Sequence, residues 1–198
     1  MSFQSNHLLI SDVAKQFALS EATIAQWIVA GALMVQRNQN EDPFILSDSV
    51  NSILEEKKSI PIIDPVASDV IKVAIVEDDS DLCKLLEMTI HNFDFKTQIQ
   101  TASNGLKGLA LLTEYKPDIL IADLNMPVMD GFRLLQAIDG TELAPKKIVV
   151  ITALDQNIIS SRGGLPSDAT IISKPFNLSE LEAQFRAWFA HYPVNLSD

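Results

Sequence analysis

DILIADLNMPVMDGFRLLQAI, residues 118–138, decides the fold. Its first part, DILIAD (118–123), is an apolar run that stops at an aspartate, as expected of a strand buried on both faces. Its last part, GFRLLQAI (131–138), reads as a short helix. The same strand-to-helix unit recurs on either side. Upstream, IKVAIVE (71–77) leads into DDSDLCKLLEMTIHNF, with Leu82, Leu85, Leu86 and Ile90 on one face. FKTQIQTA (95–102) is a weaker strand, after which Asn104-Gly105 turns the chain into helix LKGLALLTEYK. Downstream, KKIVVIT (146–152) and TIISK (170–174) complete the strands. The last helix starts at NLSELEAQFRAWFAHY, with Asn177 as cap and Glu180 at the capping-box position. Between Thr152 and Thr170, ALDQNIISSRGGLPSDA leaves little more than two helical turns before its glycines. Five strands alternating with helices predict an α/β fold with a five-stranded, parallel, doubly wound sheet.

In such sheets ligands bind at the carboxyl ends of the strands. Those ends carry Glu77-Asp78-Asp79, Asp123, Thr152 followed by the small Ala153, and Lys174-Pro175. Clustered carboxylates repel one another unless a cation joins them. An all-oxygen ligand set favours a hard ion, Mg2+. Lys174 adds a second positive charge and Thr152 a hydroxyl donor. This set suits phosphoryl transfer to an aspartate. A phosphatase of the haloacid dehalogenase type would want a second aspartate two residues after the nucleophile, where Asn125 stands. Gly163-Gly164 has no following Gly-Lys-Ser/Thr, so a nucleotide P-loop is unsupported.

The segment Asp123-Leu124-Asn125-Met126-Pro127-Val128-Met129-Asp130-Gly131 resembles the phosphoacceptor loop of bacterial two-component response regulators. Residues 71–192 as a whole resemble their flavodoxin-like receiver domain. The resemblance implies that Asp79 and Asp123 bind Mg2+ directly with the backbone carbonyl of Asn125, and that Asp78 acts through water. It implies phosphorylation of Asp123 by a histidine kinase or phosphotransfer protein. Thr152 and Lys174 would bind the phosphoryl oxygens beside Ala153, Lys174-Pro175 would be cis, and Gly131 would permit the turn after the acceptor. The domain would assist only its own phosphorylation and dephosphorylation rather than act as an enzyme on other substrates. Ile171 stands where the family commonly carries an aromatic switch residue. Leu154 stands where polar residues often assist hydrolysis, so a long-lived phosphorylated state is expected.

Ahead of this domain, residues 1–58 read as a separate unit, joined by a linker at 59–70 where Pro61 and Pro65 interrupt helix, with the receiver at 71–198. Ser11 is the expected cap of helix DVAKQFA, and Ser20 of EATIAQWIVA, which Gly31 ends. Val13, Phe17, Ile24, Trp27 and Ile28 are spaced to pack together. ALMVQRNQNEDPFILS reads as a two-stranded wing with a polar tip, and Ser47 starts a third helix. This unit resembles the winged helix-turn-helix of excisionase and MerR-type regulators. DNA-binding members place Arg or Lys on the second helix and wing. Here the corresponding positions are Glu21, Gln26 and Val29, and only Arg37 is basic near the wing tip. The expected output is therefore a protein-interaction or dimerisation module, with DNA-binding transcription regulation as the alternative.

Composition bounds the rest. The chain has 198 residues and a formal net charge of −11. Residues 1–58 hold four Lys/Arg against seven Asp/Glu, so neither domain is basic and non-specific attraction to nucleic acid or anionic membranes is disfavoured. No apolar run approaches the roughly 18 residues that span a bilayer. MSFQSNHLLI has no basic start, and a cytoplasmic protein is expected. A lone cysteine, Cys83, excludes an intrachain disulfide. The histidines lie far apart and outside any ligand motif. The aromatic stripe of the last helix (Leu178, Leu181, Phe185, Trp188, Phe189) should cover the sheet, with any surplus available to a homodimer.

Overall fold

The computed structural model describes residues 8–61 and 70–189. The middle of the expected linker, the amino terminus and the last turn of the expected final helix lie outside them. Among the described residues, no helix is long and apolar enough to cross a membrane.

The carboxy-terminal part contains strands β3 (Ile71–Val76), β4 (Thr97–Ala102), β5 (Ile119–Ala122), β6 (Lys147–Thr152) and β7 (Thr170–Ser173). They form one parallel sheet in the order β4-β3-β5-β6-β7. That order puts a chain reversal between β3 and β5, the place where doubly wound sheets open a crevice at their carboxyl edge. The central strands read as uninterrupted apolar runs because helices cover both faces. On one face lie α4 (Ser80–His91) and α8 (Leu178–Trp188), packed around Leu86, Ile90, Leu181 and Phe185. The stripe of α8 is spent on the sheet: Phe185 packs edge-on against Phe93 at 5.2 Å, and Phe95 meets Phe189 at 6.3 Å. On the other face lie α5 (Gly105–Tyr115), α6 (Gly131–Ile138) and the short α7 (Gln156–Ser161). Asn104, Asp130, Asp155 and Asn177 cap their helices through side-chain oxygens.

The amino-terminal part holds α1 (Ile10–Phe17), α2 (Glu21–Val29), a hairpin of β1 (Val35–Arg37) with β2 (Pro43–Ile45), and α3 (Ser47–Lys58). Its core is Val13, Phe17, Ile24, Trp27, Val50 and Ile53, with Phe17 edge-on to Trp27 at 5.1 Å. Ser20 caps α2 by accepting from the Thr23 amide. The expected cap at Ser11 is corrected: α1 begins two residues earlier, at Ile10, and its N-cap position is Leu9. Asp12 accepts from the Leu9 amide instead.

This part adds a further layer to the sheet domain: α2 lies against α6, and α3 against α5. One continuous buried cluster runs from Trp27 and Ile53 through Leu109 to Leu120 of the central strand.

Candidate functional site

The carboxyl ends of neighbouring strands are held level by backbone hydrogen bonds: Glu77 N–H donates to Ala102 O at 3.0 Å, Asp123 N–H to Val76 O at 3.0 Å, and Lys174 N–H to Thr152 O at 2.7 Å. The side chains at these ends therefore face one crevice. Lys174 Nζ lies 2.9 Å from Glu77 Oε2 and 3.2 Å from Asp123 Oδ1. The carboxylates of Glu77, Asp78 and Asp123 place oxygens within 4.8 Å of one another. Glu77 and Asp123 are buried, whereas Asp78 is exposed at the rim. Asp123 Oδ2 accepts from the Asn125 amide at 3.0 Å, which fixes the acceptor's rotamer. The Lys174-Pro175 bond is cis.

One sequence expectation is corrected here. Asp79, assigned as a direct metal ligand, is the N-cap of α4, accepting from the Asp81 and Leu82 amides at 2.9 and 3.2 Å. Those two donors hold its carboxyl below the ordinary aspartate range. The residue that completes the cluster is Glu77, which directly follows β3 and is buried. Three consecutive acids give three possible registers. The available signal was helix capping, because an aspartate just before Ser-Asp-Leu is an N-cap. Asp78 and Asp123 stand in the cluster with it.

Electrostatics suit the geometry. Burial pushes the Glu77 carboxyl above its ordinary range, against the pull of the Lys174 hydrogen bond. Burial alone would lower the Lys174 ammonium, but the Glu77 hydrogen bond and the Asp123 charge outweigh it and raise its pKa. Three carboxylates against one ammonium leave a double negative charge when all are ionised, and the donors are all oxygen. That set fits a hard divalent cation.

Thr152 is fully buried at the end of β6, and its Oγ1 accepts from the Leu154 amide at 3.2 Å. Ala153 and Asn125 are exposed beside the crevice. Gly131 follows the acceptor loop, and its role is steric. A Cβ there would sit 2.1 Å from the Asp123 carbonyl oxygen and 2.8 Å from Leu124 Cα. Val128 in the same loop has φ 68°, a region that disfavours β-branched residues.

Residues 73–186 match the family model for the response regulator receiver domain. The chain belongs to the response regulator receiver family. It is 32% identical over 120 residues to the "Probable chemotaxis protein CheY" of Rhizobium etli, across 60% of this chain and 92% of that one. It is 31% identical to the DNA-binding dual master transcriptional regulator RpaA of Synechocystis, across 59% of this chain and 48% of that one. The chain thus spans about half the length of RpaA. Among solved structures, the signal receiver domain of a DNA binding response regulator protein (merR) from Colwellia psychrerythraea matches with a TM-score of 0.53 and 28% identity, over 61% of this chain and 99% of that one. Receiver domains bind Mg2+ at an acidic pocket, and the acidic pocket of this receiver is formed by Glu77, Asp78 and Asp123.

Proposed function

We propose that the chain is a two-component response regulator that accepts a phosphoryl group on Asp123 from a histidine kinase or phosphotransfer protein, with its amino-terminal unit as the output module. The observation that carries this is Lys174 bridging Asp123 and Glu77 at the carboxyl edge, with Asp78 within reach of both.

The acceptor works as follows. An Asp123 carboxylate oxygen attacks phosphorus, the P–N bond of the phosphohistidine breaks, and the imidazole leaves as a mixed carboxylic-phosphoric anhydride forms on Asp123. Lys174 stands against the carboxylate that attacks and neutralises charge on a phosphoryl oxygen once the group has moved. Thr152, whose oxygen accepts from Leu154, keeps its hydroxyl proton for a second phosphoryl oxygen. Asp78, Asp123 and the Asn125 carbonyl would hold Mg2+ beside Glu77. Bound there, the ion offsets charge that develops on the phosphoryl group. Leu154 offers no polar group to a hydrolytic water, which supports a long-lived phosphorylated state.

For the output module, the order of two helices, a hairpin with a polar tip and a third helix supports a winged helix-turn-helix. Its acidity favours protein interaction or dimerisation. The second reading is DNA binding, supported by the Colwellia neighbour's description as a DNA binding response regulator. The decisive measurement is labelling by acetyl phosphate with Mg2+, read by intact mass. Wild type gains one phosphoryl group, and Asp123→Asn gains none. A label retained by Asp123→Asn would overturn the assignment.

A further inference from the structure

The acceptor loop displays an apolar side chain that the fold itself does not bury. The foot of the loop is closed by the Gly131 N–H, which donates to Leu124 O at 3.2 Å. At its apex the Met129 N–H donates to Pro127 O at 2.8 Å across a single residue, Val128. With φ 68° at Val128, this is a γ-turn of the strained hand. Glycine or asparagine takes that conformation at less cost than a β-branched residue. Packing does not offset the strain, because Val128 is 72% exposed.

A second exposed apolar side chain lines the same groove from the amino-terminal module. Met34 is 63% exposed, yet its backbone is fixed on both sides. Its N–H donates to Ser49 Oγ at 3.1 Å, and its carbonyl accepts from the Leu46 amide at 2.8 Å. Met34 and Val128 border a groove of about 370 Å³ together with Ala32, Leu106 and Met129. Asp48 and Ser52 of α3, both exposed, line it as well. The groove thus joins the module to the loop that bears the acceptor.

Its occupant follows from position. Three residues separate Val128 from Gly131, so the apex stands no more than about 11 Å from the foot of the loop. There Gly131 abuts the Asp123 carbonyl. A protein that brings a phosphohistidine to Asp123 covers about 800 Å² of this chain, a patch with a radius of roughly 16 Å. A patch of that size centred on the crevice takes in Val128 and reaches the groove behind it. Nucleic acid fits the groove poorly. Asp48 repels phosphates, and the Arg133 guanidinium is drawn to the Ala30 and Gly31 carbonyls.

We infer that the groove between Met34 and Val128 is a docking site for the phosphohistidine-bearing protein that labels Asp123, so that the amino-terminal module helps to select the donor. This rests on the assignment of Asp123 as acceptor. The donor presents an apolar side chain beside its histidine, which enters the groove, and a lysine or arginine toward Asp48. The polarisable, flexible Met34 moulds to that side chain. A bare receiver would offer Val128 without Met34, and so only part of the contact.

The test compares a protein donor with a small one, on the full chain. Histidine kinases and phosphotransfer proteins of the same organism are purified, phosphorylated and screened one at a time, and the fastest to label wild type is the probe. Its rate is divided by the rate of labelling with acetyl phosphate, which needs no docking surface, both read by intact mass. The ratio should fall about tenfold or more in Met34→Glu and in Val128→Asn, with the loss in KM. Asparagine suits the φ of the turn, so a loss there does not come from misfolding. The ratio should stay within about twofold of wild type in Met34→Leu, which keeps the apolar contact. It should also hold in Leu9→Ser, which removes an exposed apolar residue outside the groove. Unchanged ratios in Met34→Glu and Val128→Asn overturn the docking site and leave the acceptor standing. Labelling by acetyl phosphate with no active donor in the panel does the same. Absence of label from acetyl phosphate overturns the acceptor assignment, and the docking site with it. Unchanged ratios beside a wild-type dimer that Met34→Glu breaks in sedimentation give the groove to a second copy of the chain and overturn the proposal.

Discussion

At the scale of single residues, the site turns on which of three consecutive acids does what. Glu77 is buried and bonded to Lys174, Asp78 lies at the rim, and Asp79 caps a helix. The three roles respond differently to truncation. Asp78→Ala removes a cluster carboxylate and leaves α4 capped, so Mg2+-dependent labelling should be lost with little change in melting temperature. Asp79→Ala removes a cap and leaves the cluster intact, so the melting temperature should fall while labelling persists. Mass-detected labelling beside a thermal melt separates them, and the reverse pattern would restore Asp79 as the ligand. Gly131 belongs to the same scale. No side chain fits between it and the Asp123 carbonyl, so the resemblance named the right residue, and the reason is close approach rather than backbone freedom.

At the scale of elements, α2 shows how a helix can be completed by a distant part of the chain. Glu142 has its carboxyl held down to about 2 from an ordinary 4.5, chiefly by the Thr23 hydroxyl; burial opposes this, and the Ser20 amide adds to the lowering. The partners it touches are neutral, so its own charge sets the sign. A carboxyl whose pKa is depressed in the docked state stabilises docking fully above about 4.5 and loses that contribution as pH falls toward about 2. The stability difference between wild type and Glu142→Gln should therefore be largest near neutrality and close through that window. Denaturant melts over a pH series measure it, and a gap that stays constant to pH 3 would remove Glu142's charge from the contact. The elements were largely legible: GFRLLQAI is α6 residue for residue, and every strand fell within its expected run. Apolar runs closed by Asp, Thr or Lys are strong signals because burial and strand ends are local properties. The contact of α2 with α6 was not legible. Glu142 and Thr23 lie far apart in sequence, and nothing in Ser-Glu-Ala-Thr announces that its capping carboxylate comes from elsewhere.

At the scale of the whole molecule, α5 lies between the sheet and the amino-terminal part. In a free receiver its outer face would meet water. Gly108 marks the inner face, because a Cβ there would touch Val76 and Leu134 at 3.0 and 3.2 Å. Two residues later, Ala110 points about 200° away around the helix, and Thr113 lies near it. Both are nevertheless buried, Ala110 with 0% of its surface exposed. What covers them is α3, held there by Lys57 bonded to Glu114 at 2.6 Å, with the same ammonium over the Phe17 ring. The sequence carried the trace of this: GLKGLALLTEY is apolar around more of its circumference than a helix with one wet face needs. A glutamate placed at Ala110 would have to push α3 away or bury a charge without a partner. Ala110→Glu should therefore destabilise the full chain by about 2–4 kcal/mol in a denaturant melt. On an outer face open to solvent the same change would be within about 0.5 kcal/mol of neutral. A neutral result would mean that the module does not rest on α5 in solution.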